Sequence, residues 1–229
     1  MGNVLSAPTE GNWAYPVYED YFVQLSEAGF TNVRIPVDFY SGGFLNPDYS
    51  INGSERSNIN IEGCTSNNCF SSEANTFSNY EGSLDDYSVN EDYLDRVQQI
   101  VDWAITHNII VVLDFHGNNL KQEFVYTFEN EEINGVNYYT NPTSAKRLAD
   151  INRFKAIWRD ISNRFKDYST NSLVFDLINE PYFSVSANEM NDLNLSLIEI
   201  VRATGSDNLT RGIIINGGCL LYTSDAADE

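Results

Sequence analysis

Positive charge is what this chain has least of: 13 Lys and Arg stand against 33 Asp and Glu, a formal net charge of −20 over 229 residues. Phosphate backbones are held by clustered Lys and Arg, so this balance argues against a nucleic-acid partner. The two histidines argue equally against a zinc centre built from imidazoles. Three cysteines are too few for a disulfide framework. Cys64 and Cys69, in a Gly/Ser/Asn-rich stretch with no further Cys or His beside them, are expected to close one short surface loop, as in an exported protein. No apolar run nears the ~18 residues of a membrane span. Neither G-x-G-x-x-G nor a P-loop occurs, which weakens any dinucleotide-binding or nucleotide-binding reading.

What is present is an ordinary globular composition, 42% hydrophobic and 20% charged, of a length that suits one domain. Aromatics reach 13%, which fits an enzyme that stacks flat rings and fits a plain core equally well. Along the chain, short apolar runs alternate with helical periodicity. A helix around Glu19–Ala28, stopped by Gly29, leads into Asn32-Val33-Arg34-Ile35-Pro36-Val37. Residues 42–89, rich in Ser, Asn and Gly, read as an elaborated loop too polar to pack. A helix capped by Asn90 then feeds Ile109–His116, an almost unbroken β-branched run of the buried, parallel-sheet kind. The pattern repeats through a helix around Ala145–Tyr168, a strand Ser172–Glu180, a helix with a Ser186/Glu189 capping box, and a strand Gly212–Asn216. Four strands, or five with a stub at the start, make an α/β fold amounting to half to five-eighths of a (β/α)8 TIM barrel. Residues 1–218 are read as this partial catalytic domain. Residues 219–229, CLLYTSDAADE, carry neither period and read as a non-native tail resembling translated sequencing adaptor.

Active residues of such barrels sit at the C-terminal ends of strands. Those ends carry Arg34, His116, and Asn179 with Glu180, a recurrence that points to a site. His107, near a helix C-terminus, reads as structural. Strict strand alternation would send Asn179 and Glu180 to opposite faces, so both serve one site only if the strand twists or ends between them.

Val33-Arg34-Ile35-Pro36, Asp114-Phe115-His116 and Asn179-Glu180-Pro181 together resemble glycoside hydrolase family 5, the cellulase-type retaining glycosidases. Trp13, Tyr93–Val97, Trp158 and Asn163–Lys166 resemble the family's flanking segments. The resemblance implies that Glu180 is the general acid/base. It implies that Asn179 binds the sugar 2-hydroxyl, that His116 lies on the substrate side, and that Arg34 orients the nucleophilic carboxylate. Gly117 departs from the family, where a second histidine often stands. The family's nucleophile belongs to a seventh strand, beyond this chain, so the chain alone is expected to be inactive. The expected activity is hydrolysis of β-1,4 bonds in cellulose or another β-glucan, by an exported monomer acting on a polysaccharide without metal or organic cofactor. A β-mannanase of the same fold and a non-catalytic glycan-binding barrel are the alternatives.

Overall fold

A computed structural model describes residues 4–6, 10, 15–38, 50–51, 54–55, 59–61, 83–89, 91–117, 120–121, 124, 132–133, 136–137, 145–183 and 185–217. The three cysteines, Trp13, Asn90 and the 219–229 string lie outside these residues.

Four strands form one sheet: β1 (Asn32–Val37), β2 (Ile110–Phe115), β3 (Leu173–Asp176) and β4 (Ile213–Ile214). They lie in chain order, β1-β2-β3-β4, and every pairing is parallel. α1 (Glu19–Glu27) precedes β1, and α2 (Glu91–Thr106), α3 (Ala145–Phe165) and α4 (Ala187–Ala203) run between successive strands. Strand order equal to chain order means that the winding never reverses, which is how a barrel is wound; a doubly wound sheet reverses at a switch point. The stub at the start is present as a parallel bridge from Leu5 to Val37, on the outer side of β1.

The two faces of the sheet differ. Val33, Ile35, Val111, Leu113, Leu173 and Phe175 are buried, against helices that lay aromatics on them: Phe154 of α3 sits 5.3 Å from Phe115, and Trp158 sits 5.2 Å from Phe175. The Trp158 indole N–H also donates to Leu177 O at 3.0 Å, so one side chain both packs β3 and satisfies a carbonyl past its end. The alternate residues Arg34, Val112 and Val174 are only half-buried.

The 42–89 stretch is not wholly a loop that fails to pack. Tyr87–Val89 forms a strand antiparallel to Ile59–Ile61, and both Tyr87 and Val89 are buried in the core. Side chains of α3 hold it there: Arg159 donates to Leu84 O at 2.9 Å and Tyr87 O at 2.5 Å, and Asp160 Oδ2 accepts from the Val89 N–H at 2.8 Å. A single apolar-polar-apolar triplet at the end of a long polar stretch is too short a period-2 signal to stand out in composition.

Candidate active site

The register of the sheet assembles the site. Parallel pairing sets Pro36, Asp114 and Asp176 in one row across β1, β2 and β3. Arg34 lies two residues before Pro36, so all three polar residues project from the same, half-open face. Arg34 reaches Asp176 Oδ2 with Nε at 3.3 Å and Nη2 at 3.1 Å. Its Nη2 is also 3.1 Å from Asp114 Oδ1. That contact is an ion pair without a hydrogen bond, since Asp114 Oδ1 has no donor aligned on it. Burial, and then the neighbouring Asp114 carboxylate, push the Asp176 carboxyl above its ordinary range, while Arg34 and the Asn216 amide pull the other way.

Asn179 is fixed by donors and acceptors that leave it one orientation. Arg34 can only donate, and its Nη2 meets Asn179 Oδ1 at 2.7 Å. The Asn179 amide nitrogen therefore faces His116, 3.5 Å from Nε2, and that ring nitrogen accepts. The ring proton is then on Nδ1, which donates to Asp114 Oδ2 at 3.0 Å. One chain of polarity thus runs from Arg34 through Asn179 and His116 to Asp114, closing back on Arg34.

The alternation problem is resolved by the backbone. β3 ends at Asp176, and Asn179 N–H still donates across to Phe115 O at 3.0 Å. Glu180 then turns with φ +40°, a left-handed conformation that costs a non-glycine residue on the order of 1 kcal/mol or more. Asn179 is buried and Glu180 is exposed. Strand geometry therefore ends before both residues, and strict alternation does not govern how they point.

Arg34, His116 and Asn179 are in direct contact, and Glu180 follows on the next residue. His107 is on α2's far end, its Nε2 3.3 Å from Glu19, apart from this group. Sequence reasoning missed Asp114, Asp176 and Lys121 as partners. The carboxylates carried a signal, an Asp inside each of two apolar strands, since a buried charge requires a partner. Gly117 has φ +53°, and a Cβ there would stand 2.5 Å from Phe115 Cε1, so the backbone as it lies here does not accept a histidine at that position. Among the described residues, no group of three or more His, Cys, Asp or Glu could hold a metal ion, and no helix is long and apolar enough to cross a membrane.

Comparison with known proteins gives this geometry relatives. Endoglucanase H of Acetivibrio thermocellus is 28% identical over 218 residues, covering 95% of this chain and 17% of that protein. Endoglucanase A of Paenibacillus barcinonensis is 25% identical, covering 95% of this chain and 45% of that protein. The crystal structure of a tri-modular endo-β-1,4-glucanase from Bacillus licheniformis complexed with cellotetraose is 25% identical with a TM-score of 0.62, covering 94% of this chain and 31% of that one. The chain spans under half the length of each of these three proteins. The family model for cellulase (glycosyl hydrolase family 5) matches residues 3–227, and the chain belongs to that family.

Proposed function

We propose that the full-length protein hydrolyses β-1,4-glycosidic bonds of cellulose or another β-glucan by a retaining mechanism. The carrying observation is the junction at Asn179 and Glu180, a fixed amide followed by an exposed carboxyl on a left-handed turn. Glu180 donates its proton to the glycosidic oxygen as that bond breaks, and then takes a proton from the water that releases the sugar. Asn179 offers its amide to the 2-hydroxyl, a bond that strengthens as positive charge grows on the ring. His116 lines the substrate side, and Arg34 presents a guanidinium to the second carboxylate.

The attacking carboxylate is assigned to strands beyond these four. Asp114 and Asp176 are buried and held by Arg34, and a retaining pair needs its second carboxyl at about 5–5.5 Å from the first, free to attack. A glucan rather than a mannan is favoured because the relatives are named endoglucanases. A polymer cannot enter a cell, which supports an exported enzyme. The chemistry requires two carboxylates and water, with no cofactor.

Glu180→Gln tests the reading. In the full-length protein, kcat/KM on cellotetraose should fall about 10²–10⁴-fold. On 2,4-dinitrophenyl β-cellobioside, whose phenolate leaves without protonation, kcat/KM should hold. Added azide should then yield a β-glycosyl azide, because it attacks the intermediate without base help. Equal losses on both substrates would remove Glu180 from the acid role.

A further inference from the structure

Lys121 is a charged residue with only 2% of its surface exposed, and nothing in the reaction described so far uses it. It stands on a helical turn after β2, its N–H bonded to Gly117 O at 2.8 Å. Its ammonium donates to the backbone oxygen of Asn179 at 2.8 Å. That oxygen belongs to the peptide bond joining Asn179 to Glu180. The same ammonium lies 5.3 Å from the centre of the Tyr182 ring, on the other side of Glu180 in the chain. One cation therefore grips the turn both before and after the carboxyl-bearing residue.

The surroundings show why a cation is tolerated there. Asp38 faces it from the end of β1, Asp114 from β2 and Glu180 from the turn itself, with Arg34 as the opposing like charge. Burial pushes the ammonium below the ordinary lysine range, and the three carboxylates resist that push. The other polar groups of the site, Asp176 and His116, are engaged with Arg34 and Asp114 instead.

We infer that Lys121 is a positioning residue for the acid/base, its ammonium fixing the Asn179–Glu180 peptide and so the direction from which Glu180 delivers its proton. A non-glycine residue stays at φ +40° only where its surroundings over-determine it. Here Phe115 O holds the Asn179 N–H, Arg34 holds its side chain, and Lys121 holds its carbonyl. The first two fix Asn179; only the third acts on the peptide plane that Glu180 shares. A charge-assisted bond is the strong form of that restraint, and misplacing a catalytic group by about 1 Å costs on the order of 10²-fold in rate.

The inference rests on the acid/base reading of Glu180, and the experiment separates the two. In the full-length protein, kcat/KM is measured on cellotetraose and on 2,4-dinitrophenyl β-cellobioside for Lys121→Met, Lys121→Arg and Glu180→Gln. The quantity read is the ratio of the two values. Both come from one preparation, so any loss of folded enzyme cancels. Lys121→Met should lower the ratio about tenfold or more, because only the unactivated bond needs a well-aimed proton. Lys121→Arg keeps a charged donor and should stay within about threefold of the parent. If Lys121→Met yields no folded enzyme, Lys121→Gln is read by the same ratio and should also lower it. A ratio unchanged in the variant that folds overturns the inference, provided that Glu180→Gln lowers it. A ratio unchanged in Glu180→Gln overturns the acid/base reading instead.

Discussion

Gly117 shows how one residue can be dictated by its neighbour. Its φ of +53° and the 2.5 Å separation between a Cβ and the Phe115 ring leave no room for a side chain without moving a core aromatic. Gly117→Ala should therefore destabilise by about 1–3 kcal/mol, combining left-handed strain with overpacking. Urea unfolding would read it as a lower midpoint at constant m. The same scale shows where sequence stopped short. Arg34, His116, Asn179 and Glu180 were legible as polar residues within or closing apolar runs, although Arg34, read as a strand end, stands at the third position of β1. Their mutual contacts were not, since the Arg34–Asp176 pair spans 142 positions and depends on register. Lys121 was not legible at all. It follows the end of β2 by six positions in a polar segment, and only the folded turn brings its ammonium to Asn179.

Among the elements, α4 has the most explicit start signal. Ser186 Oγ accepts from the Glu189 N–H at 3.3 Å, while Glu189 Oε2 accepts from the Ser186 N–H at 3.1 Å, a reciprocal capping box. Ser186→Ala should cost about 1 kcal/mol in thermal or urea unfolding. The cost should also depend on pH. Burial is the largest single influence and raises the Glu189 carboxyl, but the Ser186 hydrogen bonds and the Arg147 guanidinium together outweigh it and hold the group below the ordinary carboxylate range. A depressed native pKa contributes stability that is complete above the unfolded value and disappears as pH falls through the native one. The parent-minus-variant difference should therefore shrink below about pH 4, and a constant difference down to pH 3 would contradict the assignment. This box was readable from spacing alone, as were β2 and the amphipathic α2. β4 was read as Gly212–Asn216 but pairs only at Ile213–Ile214. Its apolar run is real. What shortens it is that, among the described residues, only β3 offers it a ladder.

At the scale of the molecule, the uneven burial of the two sheet faces decides what these 229 residues can do alone. The helix-facing side is sealed, whereas Ile110 is 42% and Ile214 40% exposed on the other side, beside half-buried Val112 and Val174. In a (β/α)8 barrel those inward positions fill layers contributed by alternate strands around the whole circle. The four strands and the stub among the described residues do not by themselves fill such layers, and closure is what removes a sheet's free edges. Ile215, Leu195 and Leu209 are exposed as well, around α4 and β4. The 229-residue chain expressed by itself should therefore show no retaining β-glucanase activity and should associate through this surface, eluting above monomer size on gel filtration. A version extended by the strands that complete the barrel should be monomeric and active. Individual βα units should persist in the shorter chain, because α2 with β2 and α3 with β3 bury their own contacts; far-ultraviolet dichroism would then report helix even where activity is absent. Turnover of cellotetraose by the 229-residue chain with retained configuration would mean that one of the buried carboxylates, Asp114 or Asp176, leaves Arg34 to attack, and the assignment of the nucleophile to later strands would fail.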